Sequence, residues 1–137
     1  MTSTSQRLLG IIVGSGVAVA IVRMLEELAK QVTMPPGVDP TNVEQVKAAL
    51  ERGEFPFASL ALVLCGWLLA AYAGCRVAMR IGHARSVGLG FTVVFTAVIL
   101  RDLMLLPHPT WMWIGGALGV PLVALGAAGE TITVRGL

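Results

Sequence analysis

Four apolar runs, residues 8–28, 57–75, 86–106 and 111–129, decide what this chain can fold into. At about 1.5 Å per helical residue, each is long enough to cross a hydrocarbon core about 30 Å thick. With 55% hydrophobic residues and 13% charged, the chain carries far more apolar surface than a soluble domain of 137 residues can bury. The expected fold is therefore all-α: one membrane domain, an antiparallel bundle of four transmembrane helices. Arg7 ahead of the first run, and the Ala18-Val19-Ala20 pattern inside it, imitate a secretory signal, but the run continues through Val22 and Leu25 and reads as a retained first helix.

Orientation follows from the basic residues of the short connections, which favour the cytoplasmic side. The connection 76–85 holds Arg76, Arg80, His83 and Arg85 with no acid. The long connection 31–54 sets Lys47 and Arg52 against Asp39, Glu44, Glu51 and Glu54. The first is therefore expected inside and the second outside, which puts the Arg7 end and the Arg135 end in the cytoplasm.

The long outer connection reads as ordered. Pro35-Pro36-Gly37 forms a stiff turn, and Thr41-Asn42-Val43-Glu44 matches a capping box that starts a short helix over 41–52. Val43, Val46 and Leu50 give it an apolar stripe, and Gly53 stands where a helix C-terminus ends. The connection Pro107-His108-Pro109-Thr110 is too short for anything but an antiparallel turn between the third and fourth helices.

Close helix approach in lipid needs small residues on one ridge. Gly10, Gly14 and Ala18 form one on the first helix, Gly66, Ala70 and Gly74 on the second, and Gly115 and Gly119 on the fourth. They could join helices within a chain or between chains. Pro121 should disturb the fourth helix and free a carbonyl near Ala117. Trp111 and Trp113 suit an aromatic belt at the outer interface, whereas Trp67, near mid-helix, suits a packing groove. Cys65 and Cys75, ten residues apart on one helix, face different ways and cannot form a disulfide.

One charged cluster stands out. The first and third helices each run fifteen uncharged residues, 8–22 and 86–100, before Arg23 and Arg101 arrive at similar depth. Glu26 and Glu27 follow Arg23 at helical spacing, and Asp102 follows Arg101 directly. A charge in the hydrocarbon costs roughly 2.5–3.5 kcal/mol, so partners are expected: Arg23 with Glu26 or Glu27, Arg101 with those same glutamates, and Asp102 with Arg23. With His108 these residues form either a structural clamp or a polar vestibule for an ion or small solute. Glu26, Glu27, Asp102 and His108 could in principle hold a divalent metal, and Met24, Met34, Met104 and Met112 a soft one, but no metal-ligand spacing supports either. No metal or cofactor is expected, and no basic face suggests nucleic acid.

Pro35-Pro36-Gly37-Val38-Asp39-Pro40-Thr41, Gly66-Trp67 and Leu106-Pro107-His108-Pro109-Thr110-Trp111 carry a resemblance to a group of small bacterial four-helix membrane proteins. It covers nearly the whole chain in layout. It implies the same topology in a bacterial inner membrane, implies no activity and brings over no functional residue. The sequence thus reads as a non-catalytic subunit, self-associating into a homo-oligomer or accessory to a larger membrane complex. The alternative is a small channel or transporter with an outward vestibule, and a third reading is an intramembrane metal-dependent enzyme.

Overall fold

The computed structural model describes residues 3–133. Four of its helices are long and apolar enough to cross a bilayer: Thr4–Thr33, Phe57–Gly82, Arg85–Leu105 and Thr110–Glu130. The first three are α1, α3 and α4, and α2 is the short Val43–Glu51. The fourth crossing is built from α5 (Thr110–Ile114), a π-helical turn Gly115–Gly119 and α6 (Val120–Thr133). Leu8, Ile12, Val93, Leu118 and Leu122 are more than half exposed around the bundle, as side chains that face lipid.

Local chemistry sets where each helix stops. α1 starts earlier than its apolar run because Ser3 and Gln6 form a capping box, each side chain accepting the other's backbone N–H. It continues to Thr33 until Pro35 and Pro36 forbid another turn. α3 runs seven residues past the expected 75, because nothing breaks it until His83 turns left-handed at φ 49°. Arg76 and Arg80 are therefore helical, and the basic connection shrinks to His83 and Ala84. Arg135, which entered the orientation argument, lies outside the described residues.

α2 is capped one residue later than the sequence suggested. Asn42 accepts from the backbone of Glu44 and Gln45, both at 3.2 Å, while the Thr41 hydroxyl donates to Asp39 at 2.7 Å. That bond, with the Thr41 N–H at 2.8 Å, holds the Asp39 carboxyl below its ordinary range. At the other end Gly53, at φ +66°, lets Glu54 N–H reach back to the Ala49 carbonyl at 3.0 Å. The disturbance expected at Pro121 takes the form of the π turn just ahead of it, where the missing N–H leaves the helix free to widen.

α3 is the central helix, with α1 on one side and α4 and α6 on the other. The α1–α3 seam is graded in size. At its narrow end a side chain on Gly10 would meet the Ala78 carbonyl at 2.6 Å, and one on Gly14 the Gly74 carbonyl at 2.6 Å. Ala18 and Ala70 are fully buried midway, and at the wide end Gly66 faces the side chain of Leu25. Gly74 also receives the ring of Phe91. On the opposite side Gly115 and Gly119 of the fourth crossing face Leu64 and Leu68 of α3. The core around α3 holds Trp67, Cys75, Phe91, Phe95, Ile99, Leu103 and Met112, and Phe91 stacks on Phe95 at 5.5 Å. Of the two free cysteines, Cys65 is exposed and Cys75 is buried, in keeping with their different faces.

Candidate functional site

The wide end of the seam leaves a cavity of about 440 Å³ between α1, α3 and α4. α2 covers it through Val46 and Leu50, with Phe55 and Met34 beside them. Its apolar depth ends on Val19, Trp67 and Phe95, and its rim carries Arg23, Glu26, Lys30, Arg101, Asp102 and His108. Beneath that floor Ala70, Ala71, Cys75, Ala78 and Phe91 are all fully buried. The cavity is thus a cup that stops within the bundle. A second hollow of about 500 Å³ lies beside it, sharing Leu50, Phe55, Leu60 and His108, and is walled by Phe57 and Trp111, whose rings lie 5.0 Å apart.

Five of the six charged or ionisable residues expected at this end line the cup. Glu27 does not; it turns away and pairs with Lys30 at 3.5 Å. Arg23 pairs with Glu26 of its own helix at 3.8 Å. The cross-helix pairs expected of Arg101 and Asp102 do not form. The reason is the cup itself, which keeps α1 and α4 apart at this depth. Arg101 instead lies exposed, as a long side chain that can reach water does, and Asp102 is half-buried.

His108 is held by its own turn, its Nδ1 lying 3.0 Å from the Leu106 carbonyl. The tautomer that uses this contact donates from Nδ1 and leaves Nε2 as an acceptor. The ring stands edge-on to Trp67, with centroids 5.8 Å apart. Burial pushes its pKa below the ordinary value, against smaller opposing effects of the Leu106 carbonyl and the Asp102 carboxylate. Trp67 is 2% exposed, and its indole N–H has no hydrogen-bond partner among the described residues. A buried donor without a partner is uncommon, and it belongs here to a residue of the cup floor.

Sequence reasoning missed Ser59 and Trp67 as cavity residues. The signal was present: Ser59, Val63 and Trp67, at successive intervals of four, lie on one stripe of α3. It also missed a cluster at the opposite end, where the Tyr72 hydroxyl donates to Glu130 at 2.9 Å and Arg76 stands 3.6 Å from the same carboxylate, tying α3 to α6. Glu130 is the one acid after Asp102, which marked it. Among the described residues no three of His, Cys, Asp and Glu come close enough to hold a metal ion.

These features define a multi-pass membrane protein: an all-α antiparallel bundle of four crossings in contact with lipid, with an amphipathic helix in its first connection. No family model, curated protein or solved structure matches the chain.

Proposed function

We propose that this is a non-catalytic accessory protein of the bacterial inner membrane that holds a ligand in an outward-opening vestibule, with both termini in the cytoplasm. The observation that carries the reading is the cup: an apolar depth under a charged rim, closed by a packed layer. The orientation is supported by Arg76, Arg80 and Arg85 at the opposite end, where the positive-inside rule wants them. A channel or transporter would need Phe91 to leave Gly74 and open the packed layer under the cup. A metal-dependent enzyme would need Glu27 to leave Lys30 and rejoin Glu26 and His108. The Gly10 and Gly66 ridges are engaged within the chain, so self-association falls to small residues that still face lipid, Gly16, Ala20 and Gly126.

The test is thiol labelling of intact cells in a Cys65→Ser background. An impermeant maleimide should react with Val63→Cys in the cup from outside, while Ala71→Cys below the floor stays unlabelled. Labelling of both would mean a through path. Labelling of Val63→Cys only after permeabilisation would reverse the orientation.

A further inference from the structure

Two opposite charges stand side by side on the rim without an ionic partner among the described residues. Arg101 and Asp102 both line the cup, and neither is within ion-pair distance of an opposite charge. Successive helical residues point about 100° apart, so the two do not neutralise each other. Across the cup Glu26, joined to Arg23, adds a second carboxylate. Besides Lys30 and the Arg23–Glu26 pair, the rim therefore presents a guanidinium next to an acid that has no ionic partner among the described residues, with the Glu26 carboxylate as a second acid across the cup. Beneath it the walls are apolar, and the cup is open sideways: Val19 on α1 and Val98 on α4 line it yet are 50% and 42% exposed. That opening lies within the apolar spans of α1 and α4.

We propose that the cup holds one acyl chain of a zwitterionic aminophospholipid, entering sideways between Val19 and Val98, with its phosphate on Arg101 and its primary ammonium between Asp102 and Glu26. This rests on the vestibule reading above. The planar guanidinium matches a phosphate with two parallel hydrogen bonds. A primary ammonium brings three N–H donors, which two carboxylates can accept. A quaternary ammonium head lacks those donors, and a purely anionic head would meet Asp102 with like charge. The volume of about 440 Å³ suits one chain, so the second chain stays in the bilayer.

Of the three tryptophans, Trp111→Phe and Trp113→Phe leave Trp67 on the cup floor as the sole tryptophan, excited selectively over Tyr72. The full chain carrying both changes is reconstituted in phosphatidylcholine vesicles with rising fractions of a lipid brominated on its chains. Brominated phosphatidylethanolamine should quench Trp67 at about tenfold lower mole fraction than brominated phosphatidylcholine or phosphatidylglycerol, the size of one charge-assisted hydrogen bond. Asp102→Asn should shift the preference toward phosphatidylglycerol, Arg101→Gln should abolish it, and Arg101→Lys should keep part of it. Val98→Phe, or Val19→Phe on the opposite lip, should remove the quenching for every head group.

Equal quenching by the three head groups, or a wild-type preference for phosphatidylglycerol, would overturn the proposal. So would undiminished quenching in folded lip variants, since Trp67 would then be sensing bulk lipid. Failure of the vestibule itself shows separately, in the labelling of Val63→Cys.

Discussion

Gly14→Ala and Gly16→Ala, two residues apart on α1, separate helix packing from helix propensity. A methyl on Gly14 would lie 2.6 Å from the Gly74 carbonyl oxygen, 2.7 Å from Ala78 Cβ and 3.2 Å from Ala78 Cα. None of these atoms ends a flexible side chain, so the two helices must move apart. A methyl on Gly16 has nothing within 4 Å. Both changes gain the same helix propensity, up to about 1 kcal/mol, which cancels in the comparison. Overpacking of a close contact costs about 1–3 kcal/mol, so Gly14→Ala should be less stable than Gly16→Ala by about that amount. The assay is reversible unfolding in mixed micelles titrated with dodecyl sulfate, with helicity followed by circular dichroism. If the two variants agree within about 0.5 kcal/mol, the ordinary scatter of surface substitutions, then α1 and α3 are not in backbone contact at this level.

Three further outcomes are expected. Because burial lowers the His108 pKa below its ordinary 6.5 in the folded state, the unfolded chain takes up the proton first; stability is full above pH 6.5 and declines as pH falls below it, and His108→Asn should flatten that decline in pH-dependent melts. Arg101→Ala should shift detergent stability by no more than about 0.5 kcal/mol, since its exposed side chain holds no ionic partner among the described residues; a large loss would restore the cross-helix clamp. Glu130→Gln should destabilise the end where Tyr72 and Arg76 share that carboxylate, and Tyr72→Phe added to it should cost less than Tyr72→Phe alone, as a double-mutant cycle in the same assay would read.

Four crossings and a capped helix in the first connection were legible because they depend on run length, periodicity and capping, all local properties. Even the small ridges were legible as ridges, but which surface each would meet was not. Gly14 and Gly74 face each other because α1 and α3 cross there, a matter of which helices become neighbours. The same gap explains the charge cluster. Depth along the sequence puts Arg23 and Arg101 at one level, but equal level does not make contact. Contact failed because the cup lies between α1 and α4 at that level and the Arg101 side chain stays exposed. The partner of Tyr72 was beyond reach for a similar reason, lying 58 residues away on the last crossing.

The grading of the α1–α3 seam gives the bundle the mechanics of a clothes peg. From Gly10 to Leu25 is fifteen residues, an arm of about 22 Å at the helical rise. The glycine end, in backbone contact, is the pivot, and the end under α2 is the pair of jaws. Any angular play about that pivot would change the mouth of the cup more than the pivot packing. The width of the mouth is accordingly set far from it: one carbon added at Gly10 would act on the jaws through the whole length of the arm, although no residue of the rim had changed.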